Sequence, residues 1–415
     1  MHQKLEEIVG YAQKKLGLND YSLHEHTLYR EKDIFNNTIY ILSMEWTPNN
    51  TKESSPAGNA VVELNFHTKA VKRIVFVQNV TNADSAVYPS ADKENVIEWI
   101  EELTDLTFGR QFLLIEDEED VLSFGAAVDN IPVAPPGTIH VEFNKDGQLC
   151  MFSIDGHFPE EDEISWEPFA LTPDTYETTA RKQCQLVEMP DEEQGKWLPV
   201  YGIEEVYLTN NGKGVIPFDA GLGSMVMNET VLTWDAPVNK AFSNVEVDFS
   251  TEAVLEQALI NEPHPDTKPV SEQDVDACEE TAVGFLRMVY PEDSGKWKLT
   301  GIYRSNGYLF AELWPAAGTS RVIKRKIKLI IDPGTYEAVN YIDNDRLLEM
   351  FGHLNKAAEA AISKEEAFSK LREHVEAEPV YVYDQEQGTY VMCGKLDCPY
   401  GIDAVTGELL LLGAF

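Results

Sequence analysis

Few residue pairings in this 415-residue chain have the types and spacing that chemistry requires. His24 and His26 stand two apart in a strand-like segment, so both imidazoles project from one face, which is one way to hold a metal. A metal centre needs a third ligand at a telling spacing, and the chain has no HExxH or Cys/His set to supply it. A partly exposed strand face accounts for the pair. Cys393 and Cys398 flank GKLD, too far apart for a CxxC redox pair and without a second pair for zinc, so buried thiols are expected. The acidic clusters EDEED (Glu116 to Asp120) and PEEDE (Pro159 to Glu163) carry the oxygens that calcium takes. Neither has the alternating Asp/Asn-with-Gly spacing of a calcium loop, and solvated loops are expected. GxSxG, the P-loop and GxGxxG are all missing. Carboxylate pairs for acid–base work are so frequent in an acidic chain that they select nothing. The sequence therefore predicts no catalytic residue, no cofactor and no metal.

The charge balance narrows the partners. There are 71 acidic against 33 basic residues, a formal net charge of -38, which repels phosphate backbones and anionic headgroups alike. Nucleic acid and membrane insertion are excluded as expectations, and a basic protein or peptide is favoured. At 43% hydrophobic and 10% aromatic the composition is that of an ordinary globular protein, long enough for more than one core. Five scattered cysteines, an odd number, fit a reduced compartment. The first thirty residues hold no apolar run beyond Ile8-Val9, where a signal peptide needs about 7 to 15 such residues. The expected location is the cytoplasm, or the envelope if a leader was trimmed. Oligomeric state is not readable.

The elements that would carry any site come from a repeated stretch. GIDAVTGELLLLG, Gly401 to Gly413, has four looser copies upstream: VELNFHTKAV from Val62, VEFNKDGQL from Val141, IPFDAGLGSM from Ile216 and LIIDPGTYEA from Leu329. An Asp or Asn stands at one fixed point in each: Asn65, Asn144, Asp219, Asp332 and Asp403. The residue before it is large and apolar (Leu64, Phe143, Phe218, Ile331, Ile402), and the one three before is apolar too. That spacing places both on one strand face running into a turn. The short Asp or Asn side chain can bond amides two residues on, with Gly147, Gly334 and Gly407 supplying permissive backbone. The motif predicts five β-hairpins.

Helices are expected over residues 2–16, 92–103, from Thr172 with Pro173 at its first position, and from Ser271 and Ser363, where Asp274 and Glu366 make capping-box spacing. TIYILSMEW and GYLFAELW share a tyrosine and a tryptophan six apart, Tyr40 and Trp46 in one, Tyr308 and Trp314 in the other. Glu312 stands where Met44 stood, so the two sheets cannot pack identically. The repeated GKW (Lys196-Trp197 and Lys296-Trp297) reads as a packing device of a modular core, because a functional site rarely needs several copies.

Taken in order, these features resemble the YcdB/YcdC repeat proteins of Gram-positive bacteria and, more distantly, PepSY modules. The S-K-E-E-A helix start at Ser363, the D-A-x-T-G-E hairpin at Asp403, the Y-x5-W strands, and FGAAVDNIPV leading to IHVEFNKDG carry the likeness. The FGAAVDNIPV passage lacks the family's Gly after Asn130. The resemblance implies an α+β fold of tandem PepSY-like units, each a helix packed on an antiparallel β-sheet, grouped in two lobes. It implies units at 1–90, 91–160 and 161–238, a connection at 239–271, and units at 272–350 and 351–415. It also implies a non-enzymatic protein that binds or regulates a protein partner, a peptidase or other hydrolase. The alternative is a hydrolase or small-ligand binder with its site in a cleft between lobes.

Overall fold

The computed structural model describes residues 2–49, 57–216 and 225–412. Residues 50–56 of the first predicted loop, Phe218 and Asp219 of the third hairpin copy, and Gly413 lie outside the described residues. The fold is α+β, dominated by strands that pair mostly antiparallel. The chain packs as two compact units: residues 1–167, 251–264 and 379–392 in the first, residues 168–250, 265–378 and 393–415 in the second.

In the first unit the strand path begins at β16 (Glu252–Ala253) and runs through β1 (Tyr21–Lys32), β2 (Thr38–Pro48), β3 (Ala60–Asn65) and β4 (Val71–Phe76). It continues through β9 (Leu149–Asp155), β8 (Thr138–Phe143), β6 (Val121–Val128), β7 (Ile131–Ala134) and β21 (Glu376–Asp384). β5 (Phe112–Glu118) joins β6. β7 with β21, and β10 (Ile164–Ser165) with β22 (Thr389–Asp397), are parallel pairs. Helix α1 (Gln3–Lys15) buries Leu5, Ile8 and Ala12. α2 (Lys93–Thr104) starts at an Asp92 cap and sets Trp99 edge-on against Phe152 of β9 at 5.1 Å. α4 (Leu255–Leu259) is a short turn beside β1.

In the second unit, α3 (Pro173–Gln183) and α7 (Lys364–Leu371) share one core with β12 (Lys196–Ile203) and β23 (Tyr400–Asp403), through Ala180, Phe368, Leu371, Tyr201 and Ile402. β11 (Cys184–Asp191) and β24 (Leu409–Leu411) complete that four-stranded sheet, and β13 (Val206–Thr209) pairs with β14 (Val215–Ile216) and β22. A separate five-stranded sheet has the order β15 (Val226–Leu232), β17 (Trp297–Ser305), β18 (Tyr308–Pro315), β19 (Ile327–Ile331), β20 (Ala338–Asp343). α5 (Glu272–Val289) covers one of its faces with Cys278, Ala282, Phe285 and Leu286. α6 (Asp345–Glu349) follows β20.

The four described hairpin positions sit at turns for the reason the sequence suggests. Asn65 accepts from the amides of His67 and Thr68 at 2.9 and 3.0 Å. Asn144 accepts from Asp146 and Gln148, both at 3.0 Å. Asp332 accepts from Gly334 and Thr335 at 2.9 and 2.8 Å, and Asp403 from Val405 and Thr406 at 2.7 and 2.9 Å. The preceding apolar residues Leu64, Phe143, Ile331 and Ile402 are all buried. Gly147 and Gly407 take the left-handed backbone, but Gly334 does not. There the left-handed residue is Tyr336, four after the aspartate, as Lys69 is four after Asn65. The Tyr336 hydroxyl donates to Asp274 at 2.8 Å, an anchor that offsets the cost of a large residue in that conformation.

The caps hold as well. Ser271 and Asp274 cap α5 reciprocally, Ser363 accepts from Glu366, and Pro173 opens α3.

Candidate functional site

The five-stranded sheet is covered by a helix on one face and partly open on the other. Alternation along β18 turns Leu309, Ala311 and Leu313 toward α5, where none is exposed, and sends Tyr308, Phe310, Glu312 and Trp314 to the opposite face. The chain after Phe242, which packs on Phe285 and Tyr341 at 5.2 and 5.7 Å, passes the outer edge of β20 and crosses to that face. On the way the Val245 amide donates to the Val339 carbonyl at 2.8 Å. Phe249 then stacks on Phe310 and meets Tyr308 edge-on, covering one end of the face.

The other end is a groove of about 590 Å³. Its floor is set by cross-strand register: Glu312 lies opposite Lys328 on β19 and Gly301 on β17, and Lys298 lies opposite Trp314. At Gly301 a Cβ would meet the Met225 Cε at 2.7 Å, so the bare backbone lets that flexible thioether pack down, and a larger residue would displace it. Glu312 pairs with Lys328 at 3.3 Å, and Lys328 also donates to the Tyr303 hydroxyl at 3.1 Å. Burial alone would lower the pKa of the Lys328 ammonium; the bond to Tyr303 and the charge of Glu312 outweigh it and raise it. Lys298 pairs with Glu229 at 3.6 Å. Lys324 and Lys326 also line the groove, and neither has a carboxylate partner among the described residues.

β15, beside this groove, is an edge of the sheet. Its pairing with β17 is interrupted by a bulge between Met227 and Thr230, and Met227 and Val231 are 69% and 49% exposed. No strand pairs with its outer side among the described residues.

Elsewhere the chemistry flagged in the sequence is dispersed. His24 occupies a bulge in β1 and is exposed, as is His26. No group of three or more His, Cys, Asp or Glu among the described residues is arranged to hold a metal. All five cysteines are buried and none is in a disulfide; burial pushes the Cys278 thiol up to about 12. In the PEEDE cluster Glu163 lies 2.7 Å from His157, whereas EDEED is exposed at the β5–β6 turn. The two GKW tryptophans are buried, Trp197 beneath the Arg321 guanidinium at 4.3 Å and Trp297 beneath Arg325 at 5.1 Å.

One constellation escaped sequence reading because it depends on register. Ser123 on β6 pairs with His140 on β8, with Ser123 Oγ 3.2 Å from His140 Nδ1 and His140 Nε2 2.7 Å from Glu142. The row has the residue types of a Ser-His-Glu triad, but the Ser123 hydroxyl is shared with Glu116 at 3.3 Å. Both flanks of β6 are strand-paired, so its amides are spent on ladders rather than aimed at an oxyanion. The row is a cross-strand polar network.

No family model matches the chain, and no curated protein does. Among solved structures, the Bacillus megaterium YpeB C-terminal domain is similar at 8% identity, covering 83% of this chain and 97% of that one with a TM-score of 0.28. So loose a likeness carries no argument. No helix among the described residues is long and apolar enough to cross a membrane.

Proposed function

We propose that this chain is a non-enzymatic array of tandem PepSY-like units, grouped in two lobes, that binds or restrains a polypeptide partner along the free edge of β15. The partner class implied by the YcdB/YcdC and PepSY resemblance is a peptidase or other hydrolase. The observation that carries the reading is the edge itself. The β20 side of the sheet is engaged by Val245, whereas β15, paired with β17 on its inner side, has exposed apolar side chains and no strand on its outer side among the described residues. A strand added there satisfies its amides and takes affinity from main-chain bonds, with alternate side chains read by the neighbouring surface. The net charge of -38 favours a partner whose overall charge is positive and speeds its approach at low salt.

Asn228→Pro, placed in the β15 bulge outside the registered pairs with β17, rigidifies the edge backbone and deletes the Asn228–Thr230 side-chain bond, which disfavours an added strand. A partner retained by the wild-type protein should slow hydrogen exchange along β15 and lose at least about tenfold in affinity for the variant. Protection confined to helices would refute the edge reading. Turnover in an esterase, protease or phosphatase panel that Ser123→Ala abolishes would refute the non-enzymatic one.

A further inference from the structure

We infer that the lysine-lined groove beside β15 seats an acidic, extended segment of the polypeptide partner, with carboxylates at alternate positions; this rests on the polypeptide-binding reading above. Lys298, Lys324, Lys326 and Lys328 face Glu229 and Glu312, four positive groups against two negative, or +2 locally in a chain of -38. Two of the lysines are already matched by those carboxylates, which leaves Lys324 and Lys326 as the unmatched pair. The three lysines 324, 326 and 328 alternate with Arg325, which turns away to stack on Trp297 and Tyr290, and with buried Ile327. Alternation in an extended chain spaces them by about 7 Å, the spacing of every second residue in a bound strand.

Trp314, Met225 and Met227 supply an apolar strip between the ammonium groups. The segment that fits has apolar side chains near its carboxylates. A long polyanion such as nucleic acid is repelled by the acidic surface beyond the groove, because only a short segment escapes that field within about 10 Å at 0.1 M salt. Local charge selects the segment, while the net charge acts on the partner as a whole.

The test uses a labelled peptide of alternating Glu and Leu, read by fluorescence anisotropy on the full chain, beside the same peptide with Gln for Glu. The Glu peptide should bind about tenfold tighter than the Gln peptide. That preference should vanish in the Lys324→Glu/Lys326→Glu variant, in which Lys324 is exposed and Lys326 half-buried and whose thermal midpoint should stay close to wild type. Asn228→Pro should weaken both peptides alike. If Glu and Gln peptides bind equally and β15 is protected in both complexes, the acidic-segment inference falls while edge binding stands. If neither peptide protects β15, edge binding falls with it. Inorganic phosphate displacing the Glu peptide at low millimolar concentration would reduce the groove to an anion site and overturn the inference. So would a groove-dependent dimer of this chain, seen by sedimentation and lost in the double variant.

Discussion

In β2 the side bearing the tyrosine and tryptophan faces the interior, with Tyr40, Leu42, Met44 and Trp46 all at 1% exposure or less. In β18 the same six-residue spacing faces the other way: Leu309, Ala311 and Leu313 are fully buried, and Tyr308, Glu312 and Trp314 lie on the groove side. One charged residue accompanies the inversion. A glutamate among buried apolar side chains would cost several kcal/mol, whereas on the groove side it meets Lys328 across the sheet. A shared spacing thus specifies strand and pairing, while the residues between specify which side becomes core.

The largest expected effect is the exchange of these two residues. Met44→Glu should prevent folding of its unit or cost more than about 4 kcal/mol, because the carboxylate would be taken out of water at a position with no exposure. Glu312→Met, which leaves the half-buried Lys328 with the Tyr303 hydroxyl as partner, should cost about 1–2 kcal/mol. Comparable denaturant midpoints for the two variants would break the comparison. Next, Trp46→Ala should cost about 3–5 kcal/mol and Trp314→Ala less than about 1.5 kcal/mol, by the same measurement. The third contrast concerns what fastens helix to sheet. The groove sheet uses a buried charged clasp, with Asp274 receiving Arg304 at 2.7 Å, Tyr336 at 2.8 Å and its own cap from Ser271, whereas the ion pairs of α1 (Glu7 with Lys69) and α2 (Lys93 with Asp117) are more exposed.

Burial would raise the Asp274 pKa, but the Ser271 amide and hydroxyl, Tyr336 and Arg304 together lower it below its ordinary 3.8. The folded state therefore binds that proton less tightly than the unfolded chain. Its stabilisation is complete above about pH 4 and is lost as pH falls through the lower folded value. Asp332 and Asp343 act in the same direction. Asp274→Asn should flatten the acid limb of stability below pH 4 and cost about 2–3 kcal/mol at neutral pH; an unchanged acid limb would show that the clasp does not titrate. The smallest effect, about 1 kcal/mol, is expected for Asn65→Ala and Asp403→Ala, each of which orphans two turn amides.

Local chemistry was the legible part of the sequence. The Asp/Asn turns and the Ser271, Ser363 and Thr172–Pro173 helix starts are written within five residues, and the four described turns and the three helix starts are found where the spacing puts them. The groove was not legible, because Lys298, Glu312 and Lys328 are brought together by register across three strands. A signal was present, though. Arg321 to Lys328 holds five basic residues and no acid in a chain with twice as many acids as bases. The inversion of β18 was half legible: Glu312 announced a difference in packing, but the side chosen as core depended on where α5 lay.

The five buried thiols give the molecule internal clocks. A buried cysteine reacts with an alkylating reagent only when its surroundings open, because burial both shields the thiol and suppresses its ionisation until then. Cys150 reports on the strand that follows Asn144, Cys278 on the contact of α5 with the groove sheet, and Cys184 and Cys398 on the core shared by α3 and α7. The order in which reagent reaches them, followed residue by residue at increasing denaturant, ranks the cores by how often each one breathes.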